Sequence, residues 1–446
     1  MNLSDSERIC AILEHLGFEK TEEISSADLI IFNTCSVRQK AEDKVHGMIG
    51  NALTLKRKNP QLLLAVTGCM IRKSSTQNSE KRDKLLKLYN KLDFVFRIED
   101  LGVIDKLLFE IVPDLDLNIM ADEGTLENYF KIYPKYTENF KAYVPIQTGC
   151  DKFCTYCIVP YSRGREKSRN FEEIIKECEQ LVSEGVKEIT LLGQTVNTYG
   201  ISRADKISKN FEKYGDFPFV ALLKKINALQ AKGLKWLRFA SPYPKDFSDE
   251  LITAMSELET VCPHAHMPIQ AGSDEMLKAM NRKYSVAEYI KLVAKFRKKI
   301  PNISITTDII VGFCGETEEM FEKTCSLYKK IKWDMCYPAR YSPRIGTFSE
   351  KQLKDDVLRE EKAKRWRKLN NLIKKYCFES MKKFLNKEEE VLIDEKKADG
   401  FYYAHNAHNK IIRLKLRTNL IGKFAYVKIK EVKEWLMEGE LMENNK

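Results

Sequence analysis

The chain has 446 residues, 43% hydrophobic and 31% charged, which exceeds what one hydrophobic core usually serves and excludes large-scale disorder. No apolar stretch approaches the roughly 20 residues that cross a bilayer, and MNLSDSERIC has neither a basic nor an apolar leader region, so a cytoplasmic protein with no membrane partner is expected. Seventy-five Lys and Arg against 64 Asp and Glu leave a net charge of +11, which favours a polyanionic partner, and twelve cysteines in a reducing compartment point to metal or reactive chemistry wherever they cluster.

The first apolar runs, Leu29-Ile30-Ile31-Phe32 and Leu62-Leu63-Leu64-Ala65-Val66, read as buried parallel strands, each followed by a polar turn and a cysteine. Ala41 to Leu55 has room for a crossover helix, so residues 1–112 form an open parallel α/β domain. Residues 113–139 lack clean periodicity and read as a linker. From Ala142 six strand candidates follow: 142–147, 188–192, 234–240, 264–269, 303–311 and 335–341. They suit a partial parallel barrel or a doubly wound sheet over residues 140–370, and both gather ligands at the carboxyl edge of the strands.

Between Lys362 and Lys383 nine Lys or Arg face Glu379 alone, in a helical pattern. Residues 371–446 then pass into short β-like runs around Gly400 and Gly422, which suggests a small antiparallel barrel. From Lys396 to Lys433 this tail carries ten Lys or Arg against Asp399 and Glu431, with Phe401, Tyr402, Tyr403, His405 and His408 at one end. Positive charge tracks phosphates and aromatic faces stack on unpaired bases; the plainer reading is a solvated basic surface.

The densest chemistry lies in GCDKFCTYC, where Cys150, Cys154 and Cys157 follow the run Tyr143-Val144-Pro145-Ile146 at CxxxCxxC spacing. Clustered thiolates bind soft metals and iron-sulfur clusters. A closed zinc site wants four ligands and no fourth Cys or His is near in sequence, although a distant one would complete it. Three thiolates on a four-iron cube leave one iron open.

GCDKFCTYCIVPYSRGREKSR resembles the cluster motif of the radical S-adenosylmethionine (SAM) methylthiotransferases, in the branch that acts on N6-isopentenyladenosine in tRNA. Similar motifs run along the chain: NTCSVR from Asn33, TGCM from Thr67, LLGQTVNTYG from Leu191, HMPIQAGSD from His266, TTDIIVGF from Thr306 and YSPRIGT from Tyr341. The resemblance implies a central partial (β/α)6 radical SAM barrel and a TRAM-like, RNA-binding C-terminal barrel. It also implies two [4Fe-4S] clusters, SAM, the tRNA anticodon loop as partner, a sulfur donor, and a reductant such as flavodoxin or ferredoxin. The implied reaction cleaves SAM reductively, removes hydrogen from adenine C2 and installs a thiomethyl group there. Relatives acting on threonylcarbamoyladenosine tRNA or on a ribosomal protein, and a cluster-bearing RNA-binding protein without turnover, are the alternatives.

Cys35 and Cys69 match the family's ligands to the second cluster; the family's third cysteine stands two positions before the Met-Asn that here reads Met1-Asn2. A start upstream is the expectation, and Cys10, inside the helical pattern Ile9, Ile12, Leu13, Leu16, the weaker substitute. Gly193, Gln194 and Asn197 directly follow a strand, His266 and Gln270 flank another strand end, and Asp308 lies within a third. Each is expected to meet the cofactor, with a satisfied structural polar group as the plain alternative.

Overall fold

The computed structural model describes residues 1–34, 39–115, 117, 129–130 and 132–442. It divides into two compact units: residues 1–137 with 147–169 and 344–347, and residues 138–146 with 170–343 and 348–446. No described helix is long and apolar enough to cross a membrane.

In the first unit four strands, β1 (Leu29–Thr34), β2 (Leu63–Gly68), β3 (Ser75–Thr76) and β4 (Phe94–Phe96), form a sheet in the order β1-β2-β4-β3. β1 and β2 pair in parallel from Leu29↔Leu63 to Thr34↔Gly68, joined by the expected crossover helix, Gln39–Lys58. The helix Asn2–His15 lays Ile9 and Ile12 against Phe94, Phe96 and Leu101. Tyr129 and Phe130, inside the segment read as a linker, belong to this core; Tyr129 donates to Asp5 Oδ1 at 2.6 Å. An aromatic pair anchors a segment without imposing any periodicity on it.

In the second unit all six expected core strands are present. β5 (Lys141–Pro145) precedes a hairpin of the first unit, β6 (Gln147–Thr148) and β7 (Lys167–Ser168). The others are β8 (Glu188–Leu192), β9 (Trp236–Phe239), β10 (His264–His266), β11 (Ser304–Val311) and β12 (Met335–Arg340). Parallel pairing runs β5-β8-β9 and β10-β11-β12, and a parallel bridge between Leu237 and Val261 links the two halves. The helix Arg359–Met381 buries Lys362, Arg365, Leu369, Ile373 and Cys377, a stripe at helical spacing, and leaves Lys364, Arg367, Lys368 and Lys375 exposed.

The tail closes into a barrel of β13 (Glu388–Lys396), β14 (Tyr402–Asn406), β15 (Ile411–Leu414), β16 (Phe424–Val432) and β17 (Met437–Leu441), in the order β13-β14-β15-β17-β16. It is not wholly antiparallel, because β15 and β17 pair in parallel. The barrel docks on the amino ends of β5, β8 and β9. Arg238 pairs with Glu188 at 3.0 Å and donates to the carbonyls of Asn406 and Ala407, and His405 bridges Glu188 (2.8 Å) and Asp394 (2.6 Å). Tyr402 lies in the barrel core. Two of the rings expected to stack on RNA therefore serve packing and docking instead.

Candidate functional site

The cysteine loop is closed tightly by backbone. The Cys150 N–H donates to the Gly164 carbonyl at 3.2 Å, and that of Cys157 to the Cys154 carbonyl at 2.9 Å. Gly149, at φ +74°, sits so close to residue 165 that a Cβ would lie 2.1 Å from the Arg165 carbonyl oxygen. Phe153 takes φ +48°, which is unusual for an aromatic residue, and the Arg165 guanidinium covers its ring while pairing with Asp151 at 2.9 Å. Below the loop Gln147 donates to Glu166 at 2.9 Å.

Cys150 and Cys154 are buried. Burial, reinforced by Cys154 and Glu166, pushes the Cys150 thiol up to about 12, and desolvation with Cys154 beside it raises Cys157 as well. Thiols in such a place need a cationic centre to become ligands. No three His, Cys, Asp or Glu side chains among the described residues are gathered tightly enough for a single ion. Three soft donors on one loop fit the thiolate ligation of an iron-sulfur cluster.

Cys69 is buried just past β2 in the same unit. Gly68 before it takes φ +93°, and a Cβ there would lie 2.3 Å from the Thr34 carbonyl oxygen, so the two strand ends touch. Cys35, next after Thr34, lies outside the described residues. The Cys69 thiol acts electrostatically on both Cys157 and Arg163. Arg163 is buried and pairs with Asp5 at 2.5 Å, and its Nη1 has no hydrogen-bond partner among the described residues. Sequence reading missed this arginine, although its place six residues after Cys157 was the available signal. Cys10 lies half-buried in the helix Asn2–His15.

In the second unit Gly193, Gln194, Asn197 and Gln270 lie past the ends of core strands, and His266 and Asp308 lie within β10 and β11. Gly193 to Asn197 follow β8, and the Gln194 Oε1 is buried without a hydrogen-bond partner among the described residues, as befits a group awaiting a ligand. Asn197 already spends its amide on the Tyr243 backbone, donating at 2.9 Å and accepting at 2.8 Å, so it braces the loop. Past β9 and β10, Ser241 (φ +62°) and Gln270 (φ +76°) hold left-handed backbone that costs about 1–3 kcal/mol each, the kind of strain that gathers at ligand sites. His266 is gripped on both nitrogens, Nδ1 to Thr306 Oγ1 at 2.9 Å and Nε2 to Asp308 Oδ2 at 3.0 Å.

Three family models match. Residues 144–328 match the radical SAM superfamily, residues 1–96 the uncharacterized protein family UPF0004, and residues 382–442 the TRAM domain. The tRNA-2-methylthio-N(6)-dimethylallyladenosine synthase of Thermoanaerobacter sp. strain X514 is 41% identical, over 99% of this chain and 91% of its own. The like-named protein of Bacillus subtilis strain 168 is 39% identical over 99% and 84%. A radical SAM methyltransferase structure from Kitasatospora setae overlays with a TM-score of 0.49 and 13% identity, over 74% of this chain and 64% of that one.

Proposed function

This chain belongs to the family of tRNA-2-methylthio-N(6)-dimethylallyladenosine synthases, and from that premise we propose how its residues divide the work. It is a radical SAM enzyme that transfers a methylthio group to C2 of N6-dimethylallyladenosine in tRNA. The observation that carries the reading is the CxxxCxxC loop at the head of a radical SAM core within a chain alike over nearly its whole length to these synthases.

Cys150, Cys154 and Cys157 hold the [4Fe-4S] cluster to which SAM binds. When bound, that cluster supplies the electron for reductive cleavage of SAM. The chain contributes placement: Gly149 lets the loop fold back on residue 165, and Gly193, Gln194 and Gln270 offer backbone and amide groups to the cofactor. A second cluster takes Cys35 and Cys69, supported by the in-register ends of β1 and β2 and by the nearby Arg163 charge. Residues 1–112 form the sulfur-inserting domain, 113–139 connect, 140–370 carry the radical chemistry, and 371–446 grip RNA near the anticodon loop. A flavodoxin or ferredoxin reduces the enzyme in the cytoplasm, and a separate donor replenishes its sulfur.

Nucleoside mass spectrometry of tRNA from cells lacking the gene tests the activity: loss of the 2-methylthio nucleoside with its unthiolated precursor accumulating is expected, and an unchanged profile refutes it. Iron and sulfide analysis of the anaerobically purified full chain tests the clusters. About eight irons are expected if both assemble and about four if only the first does.

A further inference from the structure

β10, β11 and β12 carry two unlike faces. Ala265, Ile305, Thr307, Ile309 and Cys336 on one side are sealed in the core. His266, Thr306, Asp308 and Tyr337 share the other, with His266 opposite Thr306 and Asp308 opposite Tyr337 in the strand register. There Tyr337 is 41% exposed and the Asp308 side chain 35%, although parallel strands are ordinarily covered on both faces. Among the described residues this wall keeps part of its surface open to solvent.

The chemistry of the wall is specific. Thr306 Oγ1 meets both His264 (3.2 Å) and His266 (2.9 Å), and His266 in turn fixes Asp308 Oδ2. With both nitrogens engaged, His266 orients the carboxylate. The other Asp308 oxygen has no partner among the described residues and is an acceptor. Tyr337 stands beside it, and its ring meets His266 at 61° with centroids 6.0 Å apart. An aromatic face next to a fixed carboxylate suits a flat heterocycle that carries an N–H, as N6-alkylated adenine does.

Resting on the family assignment, we propose that Asp308 and Tyr337, with His266 as positioning residue, receive the adenine ring of the tRNA nucleotide to be modified. Tyr337 stacks on the base and Asp308 accepts from N6–H. SAM carries an adenine too, so the test must separate the two. In the cluster-loaded full chain, Asp308→Asn, Tyr337→Ala and Tyr337→Phe are compared for the SAM Kd and for KM and kcat on tRNA bearing N6-dimethylallyladenosine. Asp308→Asn and Tyr337→Ala are expected to raise KM for tRNA about tenfold, the first by loss of a hydrogen bond to a charged acceptor and the second by loss of one base stack, with Tyr337→Phe near wild type and the SAM Kd within about twofold. A SAM Kd weakened about tenfold with tRNA KM unchanged would assign the wall to the cofactor and overturn the proposal, as would wild-type constants throughout. Methylthio product from the wild-type control reads the family assignment separately, whichever way the variants fall.

Discussion

His405 sits between two carboxylates in a place where burial alone would keep it neutral. Desolvation lowers its pKa, but the bonds to Asp394 and Glu188 outweigh that and raise it above its ordinary value. Burial likewise opposes the charge on Glu188, yet Arg238 and His405 hold it down to about 2. A raised histidine pKa contributes stability that is full below its unfolded value near 6.5 and is lost as pH climbs through the folded value. The carboxylate contributes above its unfolded value near 4.3 and loses that contribution as pH falls toward 2. His405→Gln should therefore destabilise the chain by about 3 kcal/mol at pH 6, with the gap to wild type narrowing at pH 9. Urea unfolding at both values checks this, and a pH-independent gap would contradict it. Gly149 makes a second case at this scale. Gly149→Ala meets both the positive φ and the Arg165 carbonyl, and should cost about 1–3 kcal/mol. It should also lower the iron retained after reconstitution, which a colorimetric iron assay reads.

Single helices and strands show which part of the design local sequence can express. The core strands were legible because short runs such as Ile189 to Leu192 are apolar and bounded by turns, and because a parallel strand covered by helices must be apolar. The thiol loop was legible because its ligands are neighbours in sequence. Asn170, which caps the helix Phe171–Ser183 by accepting from the Glu172 and Glu173 amides, follows the same local logic. Asn170→Ala should cost about 1 kcal/mol in thermal or urea unfolding. Leu369→Ala on the buried stripe of Arg359–Met381 should cost about 2–5 kcal/mol, several times as much, since it opens a cavity. What sequence hid is whatever pairs across long separations. Tyr129 finds Asp5 124 positions away and His405 finds Glu188 217 positions away, and neither partner leaves a periodic mark. His405 and Tyr402 looked like base-stacking groups because an aromatic residue next to basic ones reads the same whether it faces solvent or a neighbouring sheet.

For the whole chain, the net charge of +11 becomes a functional quantity once the substrate is tRNA. Because the barrel packs Leu392 and Phe424 against Phe140, Trp236 and Cys262, removing it would expose apolar surface as well as delete cations, so truncation is a poor probe of RNA binding. Charge reversal is cleaner. Lys428 and Lys430 are exposed on β16, and Lys428→Glu with Lys430→Glu should weaken tRNA binding and make the slope of log K against log salt shallower by about one to two. Filter binding across a salt series measures it, and an unchanged slope would place the RNA elsewhere.

The parallel pairing of β15 with β17 has a consequence in time. Since β17 lies between β15 and β16 in the closed ring, the ring stays open until Met437–Leu441 have left the ribosome, whereas the strands of the radical SAM core are complete by Arg340. Until then Trp236 and the Glu188–Arg238 pair wait for their cover. A nascent chain stalled before residue 437 is expected to bind chaperones more than one released complete, which co-precipitation of stalled ribosomes reads.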